Sequence, residues 1–261
     1  METSTIFGLV LGLAAVLVGM VLKGASLAAL INPAAFMIII VGTAACLLNG
    51  FSLDHIKKFP VLIRKLFKKP ELFPKPELLK MFVELSQTAR REGILALESR
   101  VSDITDPFLR NGLSMVIDGL DPDFVSDVLD AEIQGMEERH RDGALIFSQA
   151  GTYAPTLGVL GAVVGLIAAL GNLDDIEKLG HSIAAAFIAT LLGIFTGYVL
   201  WHPFANKLKM ISKKEVEVKK MMIEGILSLQ AGDSPTAIEA KLVVFIPQNE
   251  RAQLKPDKSE G

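Results

Sequence analysis

The chain has 261 residues, 51% of them apolar and 21% charged, and its mean hydropathy is +0.44. Soluble domains average about 45–50% apolar residues with charges throughout, so this composition implies membrane segments joined by water-exposed ones. A formal net charge of −3 makes no electrostatic case for nucleic-acid binding, and the single cysteine, Cys46, excludes an internal disulfide and any multi-cysteine metal site.

At the N-terminus, Glu2 is the only charge before Lys23 and no small-residue cleavage site follows, so no signal peptide is expected. Four stretches free of Asp, Glu, Lys and Arg then reach the length of about 20 residues needed to cross roughly 30 Å of hydrocarbon. They cover residues 3–22, 33–51, 144–170 and 179–204. The loop between the first two holds no charge beyond Lys23, and the loop from Gly171 to Gly180 is acidic, with Asp174, Asp175 and Glu177 beside one Lys178. Basic residues cluster after the second stretch (Lys57, Lys58, Arg64, Lys65, Lys68, Lys69) and after the fourth (Lys207, Lys209, Lys213, Lys214, Lys219, Lys220). Basic residues near span ends stay on the cytoplasmic side. Both termini and the segment between spans two and three are therefore expected in the cytoplasm of a multi-pass protein of the cytoplasmic membrane.

The middle segment, 52–145, reads as a helical cytoplasmic domain. Pro70, Pro74 and Pro76 interrupt helix near its start. One helix is predicted over 77–100, with Leu78, Leu79, Phe82, Val83, Leu85, Ile94, Leu95 and Leu97 as its apolar residues. Asp121-Pro122 predicts an N-cap followed by proline at the first helical position. The helix it opens carries Phe124, Val125, Val128, Leu129, Ile133 and Met136 on one side. No segment alternates as a strand. The fold class is an all-α integral membrane protein: spans one and two in 1–51, the helical domain in 52–145, spans three and four in 146–204, and a helical C-terminal arm in 205–261. The arm is expected to run to about residue 230, to break at 232–235, and to end in a disordered polar tail.

No phosphate loop and no H-E-x-x-H motif is present, and no enzyme, cofactor or metal site is expected. Three G-x-x-x-G pairs lie in the spans: Gly8 with Gly12, Gly161 with Gly165, and Gly193 with Gly197. Small residues at this spacing let helices approach closely, within the chain or between subunits. His181 and His202 stand at span edges, each read as an interfacial residue or a proton relay. An ion pathway needs an acidic group at membrane depth, and none of the four spans has one. If the protein conducts ions, a partner supplies the carboxylate. Pro155 removes a backbone donor inside span three and frees the carbonyl one turn earlier. It and Thr190 mark either a kink and a back-bonded hydroxyl or the polar wall of a channel. Arg90 and Glu98 lie eight residues apart on the predicted helix, so on one face, which is either solvated or docks another protein.

These residues resemble a known family. The stretch 149–158, Gln-Ala-Gly-Thr-Tyr-Ala-Pro-Thr-Leu-Gly, continuing to Gly165, is similar to MotA, the A-subunit family of bacterial flagellar stators, and especially its Bacillus type. So are 189–195, running on to His202-Pro203-Phe204, and Ala89-Arg90-Arg91-Glu92-Gly93 with Leu97-Glu98. The resemblance covers nearly the whole chain. It implies a stator subunit that forms a proton channel with a MotB-type B subunit and converts ion flow into torque for motility. It further implies five A subunits around two B subunits, an ion-binding aspartate supplied by B, and contact with the rotor protein FliG. Pro155 and Pro203 match the family's functional prolines, Thr190 a threonine facing the ion site, and Arg90 and Glu98 the rotor-contact residues. Sodium-type relatives carry threonines where this chain has Ala162 and Ala189. A dehydrated sodium ion needs several oxygen ligands, so their absence favours protons. Two rivals stand beside this reading: an ExbB/TolQ-like energiser of outer-membrane processes, and a non-conducting membrane scaffold.

Overall fold

The computed structural model describes residues 3–251; the residues 252–261, where disorder is expected, lie outside the described residues. All regular elements among those described are helical, and four helical segments are long and apolar enough to cross a membrane. α1 (Thr3–Leu22) forms the first span and has no buried residue. A 3-10 turn at Leu27–Leu30 leads to the second, made of α2 (Pro33–Phe36), a π-helical turn at Met37–Val41 and α3 (Gly42–Gly50). Pro33 takes the first helical position and the Asn32 Oδ1 accepts the Ala35 N–H at 3.1 Å, so this entry is capped. α4 (Leu53–Ile56), α5 (Phe59–Phe67), α6 (Lys75–Glu92), a 3-10 turn at Ile94–Leu97, α7 (Glu98–Ser102) and α8 (Pro107–Ile117) follow. α9 (Pro122–Leu170) contains the third span. α10 (Ile176–Phe195), a π turn at Thr196–Trp201 and α11 (His202–Gln230) contain the fourth span and the arm. α12 (Pro235–Leu242), a 3-10 turn at Val243–Phe245 and α13 (Gln248–Arg251) end the described chain.

Two of the sequence expectations need correction. The helix predicted over 77–100 stops at Glu92, because Gly93 takes φ +87°, a left-handed conformation suited to glycine just past a helix end. The chain restarts as a 3-10 turn, and Leu95 is left exposed. The arm does not become a polar tail at 235. The Ser234 Oγ accepts the Ala237 N–H at 3.2 Å and starts α12, whose Ile238 and Leu242 are fully buried, as is Ile246 beyond it. Asp121 does what its position predicts: its Oδ1 accepts the N–H groups of Asp123 (2.9 Å) and Phe124 (3.4 Å) at the head of α9.

The chain divides into two compact units. One runs to Pro70 and includes Arg139–Met210; the other is Glu71–Glu138 with the chain from Ile211 onward. The second unit is held by burial. Leu78, Phe82, Leu109, Leu113, Val125, Leu129, Met221 and Ile226 form a continuous dry core. The Phe82 ring fills the space beside Gly225, where a built Cβ would meet it at 2.5 Å. Each such side chain contributes about 1.5–3 kcal/mol by leaving water. The first unit carries the four spans, and inside hydrocarbon burial drives little and close van der Waals packing of small residues takes over. Its one large aromatic cluster sets Phe59 on Phe147 at 5.0 Å, with Trp201 at 6.2 Å from each ring.

Candidate functional site

Spans three and four meet along a seam of small residues. A Cβ built at Gly193 would lie 2.7 Å from the Ala154 carbonyl oxygen and 2.8 Å from the Gly158 Cα. One at Gly158 would lie 2.9 Å from the Ala189 carbonyl oxygen. Further along, Gly161 faces the Ala189 methyl and Gly165 the Ala186 methyl, each with a built Cβ at 3.0 Å. Real Cβ atoms do not approach backbone this closely, so glycine at 158 and 193 is what permits α9 and α10 to touch backbone to backbone. Of the three G-x-x-x-G pairs, the last two lie on this seam. Of the first, Gly8 faces open space and Gly12 faces Val199, with a built Cβ at 2.6 Å from Val199 Cγ1.

The irregular turns gather at one end of the seam. Pro155, inside α9, has no N–H to give the Gly151 carbonyl. That carbonyl and the proline ring both lie against Gly197, where a Cβ would sit 2.8 Å from Gly151 O and 2.6 Å from Pro155 Cγ. Gly197 is part of the π turn at Thr196–Trp201, and its own carbonyl accepts the His202 N–H five residues on. Pro203 follows at once. A proline at 203 would collide with the carbonyl four residues back in a regular helix, and the wider π turn supplies the room. The His202 ring closes the circuit: it packs on Gly151, whose built Cβ would lie 2.8 Å from it, and tilts against Tyr198 at 5.3 Å.

The predicted pathway residues occupy different parts of this arrangement. Pro155 is half-buried against Gly197, and Pro203 is exposed. Ala189 is buried in the seam between Gly158 and Gly161. Ala162 and Thr190, each the residue after a seam residue, are half-buried. The hydroxyls are turned onto their own helices. Thr190 donates to Ala186 O (3.4 Å), Thr196 to Leu192 O (2.8 Å), Thr152 to Ser148 O (3.1 Å) and Thr156 to Tyr153 O (2.7 Å). His181 is exposed in α10. Among the described residues no cluster of His, Cys, Asp or Glu could hold a metal.

In the second unit, Arg90 lies in the last turn of α6 and Glu98 starts α7, and both are exposed. They do not share a helix face, because the chain turns at Gly93 between them. Arg90 lines an open cavity of about 690 Å³ with Val116, Leu120 and Gln230. Sequence reasoning missed two charged groupings. Asp175 caps α10: the Lys178 N–H (3.1 Å) and the Lys178 ammonium (3.0 Å) hold its carboxyl below the usual carboxylate range. Lys241 reaches Asp233 at 2.9 Å and Glu224 at 3.4 Å, fastening α12 to α11. Their hydrogen bond lowers the Asp233 carboxyl and raises the Lys241 ammonium from their ordinary values.

Known proteins resemble this chain closely in sequence and in fold. A family model described as the MotA/TolQ/ExbB proton channel family matches residues 100–221, and one described as motility protein A N-terminal matches residues 6–93. Motility protein A of Bacillus subtilis (strain 168) is 55% identical over 251 residues, which span 96% of this chain and 93% of that one. The solved flagellar MotAB stator complex from Bacillus subtilis contains a chain of TM-score 0.91 and 54% identity, covering 97% of this chain and all of that one. A chain of the solved C. jejuni MotAB has TM-score 0.90 at 32% identity, covering 95% of this chain and 97% of that one. The chain therefore belongs to the MotA/TolQ/ExbB proton channel family, among the motility A proteins.

Proposed function

We propose that the chain is the A subunit of a flagellar stator, forming with a MotB-type B subunit a proton channel that couples ion flow to torque. The observation that carries this reading is the α9–α10 seam. Two spans lie in backbone contact, a proline of one is set against the π turn of the other, and neither holds a carboxylate at membrane depth. A charged carboxylate at the centre of a bilayer costs about 2.5–3.5 kcal/mol or more, so it stays at depth only in exchange with a proton or beside polar groups. The carbonyl of Gly151, released by Pro155, is such a group. A partner aspartate facing this end of the seam would alternate between neutral and charged forms, and α9 and α10, locked together by their glycines, would respond as one body.

Finer assignments follow the family resemblance. Five A subunits surround a B dimer whose aspartate binds the ion. Arg90 and Glu98 act on the rotor protein FliG. Both termini are cytoplasmic, which the basic clusters after spans two and four support. Ala162 and Ala189 offer no hydroxyl ligands, which supports protons over sodium. The match of the motility A N-terminal model over 6–93 favours this reading over an ExbB/TolQ-like energiser. The test is complementation: a flagellated strain lacking its own A subunit should swim when given this chain with its cognate B subunit, and stay immotile with the chain alone.

A further inference from the structure

Five side chains in the four spans can ionise: Cys46, Tyr153, His181, Tyr198 and His202. Cysteine and tyrosine ordinarily titrate at about 8.5 and 10, so only the histidines are of the type that gains and loses a proton between about pH 5 and 8. His181 is exposed near the start of α10, and His202 lies at the opposite end of the fourth span. The neighbours of His202 turn elsewhere. Trp201 and Phe204 join the aromatic cluster, 6.2 and 6.4 Å from Phe147. The His202 ring lies instead on Gly151, where a built Cβ would meet Cγ, Cδ2 and Nδ1 at 2.8 Å. Glycine at 151 therefore makes room for the imidazole. The same residue owns the carbonyl that Pro155 leaves without a helical donor, so the ring stands at the irregular end of the seam. It is half-buried, and among the described residues its nitrogens have no hydrogen-bond or ion-pair partner. The other ionisable group beside it is the Tyr198 phenol, with ring centroids 5.3 Å apart. Tyr198 is 64% exposed, so the two rings are reachable from outside the two spans. At roughly 1.5 Å per residue, His202 stands about 7–8 Å along the helix from Gly197 and about as far from Lys207, the first cation of the basic cluster.

We propose that His202 is the proton relay at the cytoplasmic end of the pathway, a role that rests on the channel reading above. A proton leaving the partner's carboxylic acid reaches neutral His202 through water. An O–H bond of the hydrated proton breaks and an N–H bond forms at the unprotonated ring nitrogen, giving an imidazolium. The ring then returns a proton to cytoplasmic water and is neutral again. No charge is left behind, and no carboxylate of this chain is needed.

The test separates a titrating ring from a packing ring. The full chain is reconstituted in liposomes with a B subunit whose periplasmic plug is deleted, and proton flux under an imposed potential is read from a pH-sensitive dye in the lumen. His202→Phe keeps a flat ring for Gly151 but takes no proton, His202→Gln keeps polarity without titrating, and His202→Glu keeps a group that titrates. Phe and Gln should each slow the flux by about 100-fold, the lower end of what a positioned acid–base group contributes, and Glu should retain more flux than either. A packing role gives the opposite order, with Phe near normal and Glu the worst. Co-purification of the B subunit with each variant shows that the complex has assembled; where His202→Glu does not assemble, His202→Phe with the B subunit still bound decides. Parental flux in His202→Phe would overturn the proposal. Equal loss in all three variants with the B subunit bound would overturn it too, because a relay needs only a group that titrates. No flux through the unsubstituted pair would overturn the channel reading itself, and this proposal with it.

Discussion

The ring of Pro155 in α9 rests on Gly197 in the π turn so closely that a methyl group at 197 would lie 2.6 Å from Pro155 Cγ and 2.8 Å from the Gly151 carbonyl oxygen. One residue therefore sees both the proline and the carbonyl that the proline leaves without a helical donor. Spans three and four are joined at their most irregular turns, not between two regular helices.

Gly197→Ala and Gly193→Ala should both impair swimming. The obstructing atoms include backbone, the Gly151 and Ala154 carbonyls, which cannot swing aside, so α9 and α10 must part. Overpacking of this kind costs about 1–3 kcal/mol, and the thermal midpoint in detergent should fall with it. Gly180→Ala, with nothing within 4 Å of its built Cβ, is the control and should swim normally. Swim-ring diameter at matched protein levels is the readout. A Gly197→Ala strain that swims like the parent would show that the contact does not matter for torque.

Pro155→Leu should abolish torque and leave membrane insertion intact. Leucine is favourable in a span and restores the N–H that the Gly151 carbonyl lacks, so α9 loses its irregularity at Gly197. Thr190→Val should be milder. It removes a hydroxyl that makes only a 3.4 Å bond to its own helix, and it keeps the shape. Torque from tethered cells, with membrane fractions checked by blot, separates the two. Normal rotation in Pro155→Leu at normal levels would make the proline a mere helix irregularity.

The four spans were legible in the sequence because uncharged runs of about 20 residues have few other uses. The cap at Asp121 was legible because the signal is local, an acid followed by proline. The break at Gly93 was missed: apolar residues continue on both sides, and a glycine in a helical pattern shows its conformation only when the chain turns there. The π turns left no signal except Pro203, since the accommodation they provide depends on how the neighbouring span packs. The G-x-x-x-G spacing announced close approach, but not that Gly158 faces Gly193 or that Gly197 faces Pro155, because the partner of a small residue is a tertiary fact. The Lys241–Asp233–Glu224 contacts were hidden for the same reason, among ordinary surface charges.

Arg90→Glu and Glu98→Lys should each weaken swimming while proton conduction stays near normal. The two side chains are exposed on separate helical segments flanking Gly93, so as rotor contacts they would act independently. Combined reversal should then not restore what each loses. Exposed pairs are worth about 0–1 kcal/mol, so neutral substitutions should do less than reversals. Normal swimming in both reversals would make this face merely solvated.

The Lys241–Asp233 pair should stabilise the second unit across a defined pH window. The Asp233 carboxyl is lowered on folding, so its contribution is present above the ordinary carboxylate value of about 4 and is lost as acid titrates the folded group. The Lys241 ammonium is raised, so its contribution is present below about 10.4 and is lost as pH rises through the folded value. Because Lys241 is half exposed, the effect should be modest, about 1 kcal/mol at most. Lys241→Met should lower the thermal midpoint at neutral pH and converge with the parent chain in strong acid. Equal midpoints at neutral pH would show that solvent screens the pair completely.

On the proposed reading, this chain and a B-type partner together make a proton pathway along α9 and α10. The most direct measurement is cytoplasmic pH, read by a pH-sensitive fluorescent protein, in cells expressing the chain with a B subunit whose periplasmic plug is deleted. Acidification is expected when both subunits are present. None is expected with either alone, or when the partner's membrane aspartate is changed to asparagine, and Pro155→Leu should slow it. Acidification by this chain alone, or none with the complete pair at normal membrane levels, would contradict it.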